Sequence, residues 1–467
     1  MADDHADTVW IPAISRAAGP VYLAISDAIE ADIRSGHLSA GRRLPPQRAL
    51  AETLDIDFTT VTRAYAEARK RGLVEGRVGQ GTYVCARRAV PASVRQARSG
   101  LVDMSMNLPP RFDNPALAAR MWEGVAGLEA EEGLDLLLRY QQPGGAERDR
   151  AAGAAWLSGR LPNVPLDRIL VCPGAQGALL AVTSMLAAPG DIVCAEMLTY
   201  PGFRAVAAHL RLDLVGVAMD KKGLIPEAFE EICIKRHPKA LYCNPTLNNP
   251  TTITLSLDRR RAIAEIAARH DVAIIEDDAY GALPEAAVQP FAAIAPLQTY
   301  HIAGLAKCLS PALRIAYLVA PDIRVATRLA GIIRATAAMA SPLSAAIASR
   351  WIEESTADAV LAAIRAEARK RQTLAAQILP ENAMQADPDG FHGWLLMPPA
   401  WSRGDFTARL RVAGVGVVAS DAFALGTPPE AVRLGLGAAD DIDHLKHSLG
   451  IIADLLSQSP AASALIV

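Results

Sequence analysis

Lys307 lies in the segment His301-Ile302-Ala303-Gly304-Leu305-Ala306-Lys307-Cys308-Leu309, a lysine hemmed in by small and apolar residues. Taking an unpaired ammonium out of water is costly, and a buried lysine commonly responds by losing its proton. The neutral amine that results is a nucleophile for aldehydes. Upstream, Ile274-Ile275-Glu276-Asp277-Asp278-Ala279-Tyr280-Gly281 closes an apolar run with acids and a tyrosine. Schiff-base chemistry with pyridoxal 5′-phosphate (PLP) needs this pair of groups: a lysine for the aldehyde, and an acid that keeps the pyridine nitrogen protonated so that the ring is an electron sink. Asp277 suits the second role, and the Tyr280 hydroxyl would reach the ring's O3′. Taken alone, Lys307 reads more readily as a strand-end lysine whose stem is covered and whose head reaches water.

Further groups fit the same chemistry. Cys172-Pro173-Gly174-Ala175-Gln176-Gly177 follows an apolar run and opens a helical pattern, so the amides of Gly174, Ala175 and Gln176 can cradle a phosphate, helped by the helix dipole. Tyr200, in Tyr200-Pro201-Gly202-Phe203, offers a ring to stack on a flat cofactor, or an ordinary core aromatic. Asn249, in Asn248-Asn249-Pro250-Thr251-Thr252, can donate to a phenolate oxygen or bond its own backbone. Arg314 carries a planar fork suited to a phosphate. Arg433, isolated in Ala431-Val432-Arg433-Leu434-Gly435, suits a substrate carboxylate.

The elements that must hold these groups alternate. Short apolar runs at Arg168–Val171, Asp191–Ala195, Ala240–Cys243, Val272–Ile275 and Ala316–Val319 are separated by alanine-rich helical stretches. Such alternation predicts an α/β fold with a mostly parallel sheet covered on both faces and ligands at the carboxyl ends of its strands. In the order and spacing of these motifs the region from about Asn107 to Leu456 resembles the fold-type I aminotransferases of class I/II. The resemblance implies a smaller C-terminal α+β lobe, Lys307 as Schiff-base lysine, Asp277 as pyridine partner, Asn249 and Tyr280 as O3′ ligands, Tyr200 as stacking ring and Arg433 as α-carboxylate ligand. It also implies that Tyr140, in Arg139-Tyr140-Gln141-Gln142-Pro143, reaches the phosphate across a dimer interface. Two positions depart from the family. Gly304-Leu305-Ala306-Lys307 stands where many relatives carry Ser-x-Ser-Lys, which leaves phosphate binding to Arg314 and the backbone cradle. Thr252 stands where Asn-Pro-Thr-Gly ends in glycine.

The 467 residues exceed one ordinary domain, and 51% hydrophobic residues supply ample core. A formal charge of -3 from 47 basic and 50 acidic side chains gives no global polyanion-binding signature, so any nucleic-acid site must be local. The six cysteines show no CxxC spacing and read as reduced core thiols, with no metal site in prospect. Residues 1–18 lack a signal-peptide core, and no apolar run reaches the roughly 20 residues of a membrane span, so a cytoplasmic location is expected.

The first 85 residues have another texture. Ile25, Ile29 and Ile33 mark an amphipathic helix from Val21 to Ser35, halted by Gly36. Leu44-Pro45-Pro46-Gln47-Arg48 turns into a second helix, Gln47 to Leu54. A third opens at Asp57 or Phe58 and buries Val61, Ala64, Tyr65 and Ala68, leaving Thr59, Thr60, Thr62 and Arg63 exposed where a recognition helix presents its readers. Gly76 to Val84 is a glycine-rich hairpin, read as a wing whose Gly79 and Gln80 are expected to contact DNA. From Arg42 to Arg88, ten basic residues face five acidic ones, a local charge of +5. Arg48 at a helix start is placed for a phosphate, and Arg63 for base edges.

This segment resembles the GntR family of winged helix-turn-helix regulators. Residues 86–106 read as a linker, and the layout as a whole, residues 1–85 ahead of 107–467, is similar to the MocR/GabR group of bacterial regulators. That resemblance implies a homodimer arranged head-to-tail, double-stranded operator DNA as partner, PLP as cofactor, and an amino acid or amine effector sensed through an external aldimine. A working aminotransferase with an accessory DNA-binding domain is the alternative, because every residue of the half-reaction is present.

Overall fold

The computed structural model describes residues 10–12, 20–35, 37–39, 41–71, 73–77, 81–84, 102–128, 133 and 135–458. The chain forms two compact units, Met1–Ser99 and Gly100–Val467.

In the smaller unit three helices, α1 (Val21–Ser35), α2 (Gln47–Leu54) and α3 (Phe58–Lys70), precede an antiparallel pair, β1 (Val74–Arg77) and β2 (Gly81–Val84). Asp57 starts α3 by accepting the Thr59 amide at 2.8 Å, which satisfies one of the helix's open donors. Every fourth or third residue of α1 and α3 enters one core, with Ile25, Ile29, Val61, Ala64, Tyr65 and Ala68 all buried beside Val74 and Val84. The buried Tyr65 hydroxyl donates to the Pro45 carbonyl at 2.9 Å and so fixes the turn ahead of α2 to α3. Gly36, Gly79, Gln80, Cys85 and the stretch 86–101 lie outside the described residues.

The larger unit is built on a seven-stranded sheet. After β3 (Val102–Asp103) come β4 (Ile169–Cys172), β5 (Ile192–Glu196), β6 (Asp213–Val217), a short hairpin of β7 (Met219–Asp220) and β8 (Gly223–Leu224), then β9 (Ala240–Cys243), β10 (Ala273–Asp277), β11 (Thr299–Gly304) and β12 (Ala316–Val319). The spatial order is β4-β12-β11-β10-β9-β5-β6. Alternate residues feed opposite cores: Leu170, Ala195, Tyr242, Ile275 and Ile302 enter one, while Val171, Cys194, Leu241, Ile274 and Ala303 enter clusters on the other face. That double burial explains why these strands read as apolar runs rather than alternating ones.

One strand is the exception in the mostly parallel sheet that the sequence predicts. β12 runs antiparallel to both neighbours, β11 and β4, and the remaining pairs are parallel. A fully buried strand has the same composition in either direction, so its apolar run could not reveal this.

A second lobe carries the antiparallel sheet β13-β14-β17-β16 (Met384–Ala386, His392–Leu396, Ala431–Gly435, Val418–Ala419) beneath helices Thr356–Ile378, Arg403–Val412 and Ile442–Ser457. The larger unit also begins before the Asn107 boundary expected from the sequence. Val102–Asp103 pairs in parallel with β15 (Val415–Gly416), and Met104 is buried in this lobe's core, so at least residues 102–106 belong to the unit and not to a linker. No described helix is long and apolar enough to cross a membrane.

Candidate functional site

The direction of the strands gathers the chemistry at one edge. β4, β5, β9, β10 and β11 all end there, delivering Gly174–Gln176, Glu196 and Tyr200, Asn244–Asn249, Asp277–Tyr280 and Lys307 in turn. Because β12 runs the other way, its entry rather than its exit lies at this edge, and Arg314 arrives just ahead of Ala316. These groups line a cavity of about 250 Å³ that contains Gly174, Ala175, Gln176, Tyr200, Asn249, Asp277, Tyr280, Lys307 and Arg314 together.

Lys307 does not reach out to solvent. It is half-buried, donates to the carbonyl of Asn107, and burial with the nearby Arg433 charge pulls its pKa down to about 8, against the opposing pull of Asp277. Asp277 is buried, with Oδ2 accepting the Tyr242 hydroxyl at 2.8 Å and Oδ1 left without a partner. Burial raises it to about 6, with Asp278 pushing the same way and the Tyr242 bond and Lys307 opposing. Tyr242 is itself held by a parallel stack on Phe203, ring centroids 3.8 Å apart. The Tyr280 hydroxyl accepts from Asn107 Nδ2 at 2.8 Å, and its pKa is raised by burial.

Gly174 has φ +77°, and a Cβ there would lie 3.3 Å from the Arg314 guanidinium. The glycine therefore lets that fork sit against the backbone where the helix Gly174–Leu186 begins. Arg314 is an exposed residue and takes φ +55°, a costly conformation for a side chain of its size. The Gln176 side chain is bonded to the Gly202 carbonyl at 2.8 Å, which leaves its main-chain amide as the relevant group. Tyr200 caps the next helix and borders the cavity, half-buried. Tyr140 is 86% exposed and lies outside this cavity.

Arg433 is buried and donates to Asn249 Oδ1 at 3.0 Å and to the Ser105 carbonyl, while Nε has no partner. Its guanidinium lies 5.2 Å from the Phe423 ring centroid, and burial lowers its pKa.

Several functional residues were not found from the sequence. Asn107 bonds both Lys307 and Tyr280 from the segment following β3. Asn244 spans the site: its Nδ2 donates to the Asp277 carbonyl at 2.6 Å, and its Oδ1 accepts the Asn249 amide at 2.9 Å. Its own amide donates to Glu196 Oε2 at 3.1 Å, and burial raises the Glu196 carboxyl to about 8. Behind Asp277, His301 bridges Glu276 at 2.8 Å and lies 3.5 Å from Asp278, which also pairs with Arg160. An acid at the end of an otherwise apolar strand, as in Cys194-Ala195-Glu196, was the available signal for Glu196. Contacts across about two hundred residues, as for Asn107, leave none.

On the smaller unit, Arg48, Thr59, Thr62 and Arg63 are exposed and Thr60 is half-buried. Thr59 is bonded to the capping Asp57, Thr62 to Gln47 Oε1 at 2.9 Å, and the Arg63 guanidinium lies 4.9 Å from the Tyr22 ring centroid of α1.

The sequence matches the family described as aminotransferase class I and II over residues 115–451. The chain belongs to that family. Residues 21–84 match the bacterial regulatory proteins of the gntR family. Relatives include the uncharacterised HTH-type transcriptional regulator YdeF of Bacillus subtilis, 29% identical over 451 residues and 96% of each chain. The HTH-type transcriptional regulator TauR of Rhodobacter capsulatus is 28% identical, covering 85% of this chain and 88% of its own. The probable rhizopine catabolism regulatory protein MocR of Rhizobium meliloti is 27% identical, covering 65% and 66%. Among solved structures, Pyrococcus horikoshii kynurenine aminotransferase superposes with TM-score 0.69 at 22% identity, covering 77% of this chain and 91% of that one. A tetra mutant of Thermus thermophilus aspartate aminotransferase gives 0.67 at 23%, with 77% and 98% covered. These identities establish the fold, and the enzymes of this family depend on PLP. The site fits that group: Asp277 keeps an unpartnered buried oxygen, Lys307 has an easily lost proton, and Gly174, lacking a Cβ, lets the Arg314 guanidinium lie against the helix start.

Proposed function

We propose that the chain is a DNA-binding transcriptional regulator whose class I/II site carries PLP and takes an amino compound as effector. One observation carries this reading: a helix-turn-helix matched to the gntR family stands in the same chain as a cavity with a full complement of groups for PLP. The relatives named as regulators support it, since YdeF and TauR are similar along both halves.

When bound, PLP supplies an electrophilic carbon for an amine and a ring that accepts electrons. Lys307 offers that carbon an amine, which the Asn107 carbonyl orients and burial keeps easy to deprotonate. The free Oδ1 of Asp277 is where a pyridinium proton would be held, with Tyr242 fixing the other oxygen. Tyr280, steadied by Asn107, and Asn249, steadied by Asn244, would address O3′. Arg314 and the amides of Gly174, Ala175 and Gln176 would hold the phosphate without the two hydroxyls that Gly304 and Ala306 replace. Tyr200 would cover the ring. Arg433 would take an effector's carboxylate, leaving its bond to Asn249 in place. Tyr140, with its ring in water, would complete the phosphate site of a second subunit in a head-to-tail homodimer. The cytoplasm is the location in which such a regulator meets operator DNA.

The exposed Arg48 and the threonines of α3 would dock on the duplex, with Gly79 and Gln80 at the wing. The test uses full-length protein loaded with PLP and a duplex from upstream of its own gene. Fluorescence anisotropy should show binding that a panel of amino acids and amines alters. Turnover with added keto acids and no binding to DNA would put an aminotransferase in its place.

A further inference from the structure

The reading face of the smaller unit carries an aromatic residue for which DNA phosphates have no use. Phe58, the first residue of α3, is 42% exposed although it is among the largest apolar side chains of its unit. The helix does not need it there, because Asp57 supplies the cap and the core is completed by Val61, Ala64, Tyr65 and Ala68. Arg48 at the start of α2 places its guanidinium 5.7 Å from the Phe58 ring centroid. The ring and the cation thus form one exposed patch on two helix starts.

The neighbouring polar groups are partly committed. Thr59 is bonded to Asp57 and Thr62 to Gln47, and Arg63 lies over Tyr22. On a recognition helix, whose first residues enter the major groove, this leaves an apolar ring as the group at the tip with no internal hydrogen bonds to satisfy. Major-groove edges present one apolar feature, the 5-methyl of thymine. The local excess of basic residues, with Arg48 itself beside the ring, selects duplex DNA as the occupant over an apolar protein surface.

We propose that Phe58 is a specificity-determining residue that reads a thymine methyl in each half-site while Arg48 holds the adjacent phosphate. This rests on the DNA-binding reading above, and the test separates the two. Full-length protein loaded with PLP is used to enrich duplexes from a random-sequence library. Each consensus thymine is then replaced in turn by deoxyuridine, which deletes only the methyl group.

In the wild type, one position per half-site should lose affinity roughly fourfold on that replacement, the effect expected for one buried methyl. In Phe58→Ala the same replacement should have no effect, and this double comparison cancels any general change in binding. Phe58→Arg should shift the enriched base there from thymine to guanine. Uniform indifference to deoxyuridine, or a penalty that persists in Phe58→Ala, would overturn the proposal while leaving the DNA-binding reading intact. Failure to enrich any sequence would overturn both.

Discussion

Lys307, Asp277 and Arg433 were legible because each is an ionisable residue in a run that otherwise reads as core, and burying a charge demands a compensating reason. The structure supplies the compensations, and each has a measurable consequence. Since only the neutral amine attacks an aldehyde, loading of the apo-protein with PLP should accelerate as pH rises toward about 8 and level off above it, because burial has lowered Lys307 to about 8. Stopped-flow absorbance measures that profile, and a midpoint near the ordinary lysine value would refute it. Arg433→Ala should weaken carboxylate-bearing amino ligands by about 2–4 kcal/mol, as for truncation of one partner in a buried charged pair, without preventing PLP loading. Spectral titration reads both.

Glu196 showed in the sequence only as an acid at the end of an apolar strand; its role was hidden, because it bonds the Asn244 main-chain amide and not a ligand. Its folded-state pKa is raised to about 8, so the folded protein holds a proton that the unfolded chain gives up near pH 4.5. The sign follows: relative stability is full at low pH and is lost as pH rises through about 8. Glu196→Gln should remove that loss, and the difference in melting temperature between wild type and variant should change between about pH 4.5 and 8 and level off above it. Parallel curves would mean that Glu196 carries no proton. Thr252 is a further case in which sequence showed an oddity without its cost. It takes φ +63° in the turn closed by its amide on Asn248 at 2.7 Å, a conformation that β-branched residues rarely adopt. Thr252→Gly should stabilise the protein by about 0.5–1 kcal/mol, the strain relieved less the added flexibility of glycine, as read by denaturant unfolding.

At the scale of elements, the helices α1 to α3 fall where the periodicity of the sequence sets them, and the strands Ala240–Cys243 and Ala316–Val319 where its apolar runs do. What periodicity cannot carry is direction. β12 and β9 are equally apolar, yet the first runs against its neighbours, and that reversal brings Arg314 to the edge where five other strands end. The short pairing of Val102–Asp103 with Val415–Gly416 was equally hidden, because two residues leave no pattern and the partner is more than three hundred positions away. Those few residues then hold Ser105 and Asn107 against Arg433 and Lys307. On the smaller unit, α2 carries exposed Arg48 in its first turn, beside an open helix end, a natural phosphate contact. Arg48→Ala should weaken all duplexes alike and flatten the log–log salt dependence by about one unit. An unchanged slope in anisotropy titrations at several salt concentrations would remove Arg48 from the interface.

For the molecule as a whole, two units with separate cores share one chain, and composition, with its near-neutral total charge, concealed a basic stretch of +5 from Arg42 to Arg88 within an overall -3. A cofactor cavity in one unit affects DNA binding by the other only if ligands bind differently to two states of the whole protein. The most direct test is the affinity of full-length protein for an enriched duplex with and without saturating PLP, in the wild type and in Lys307→Ala. The regulator reading predicts at least a fivefold change in the wild-type Kd, within the usual range of allosteric coupling, and none in the variant. Equal affinities for DNA in the free and PLP-loaded wild type, with amino ligands also without effect, would contradict it.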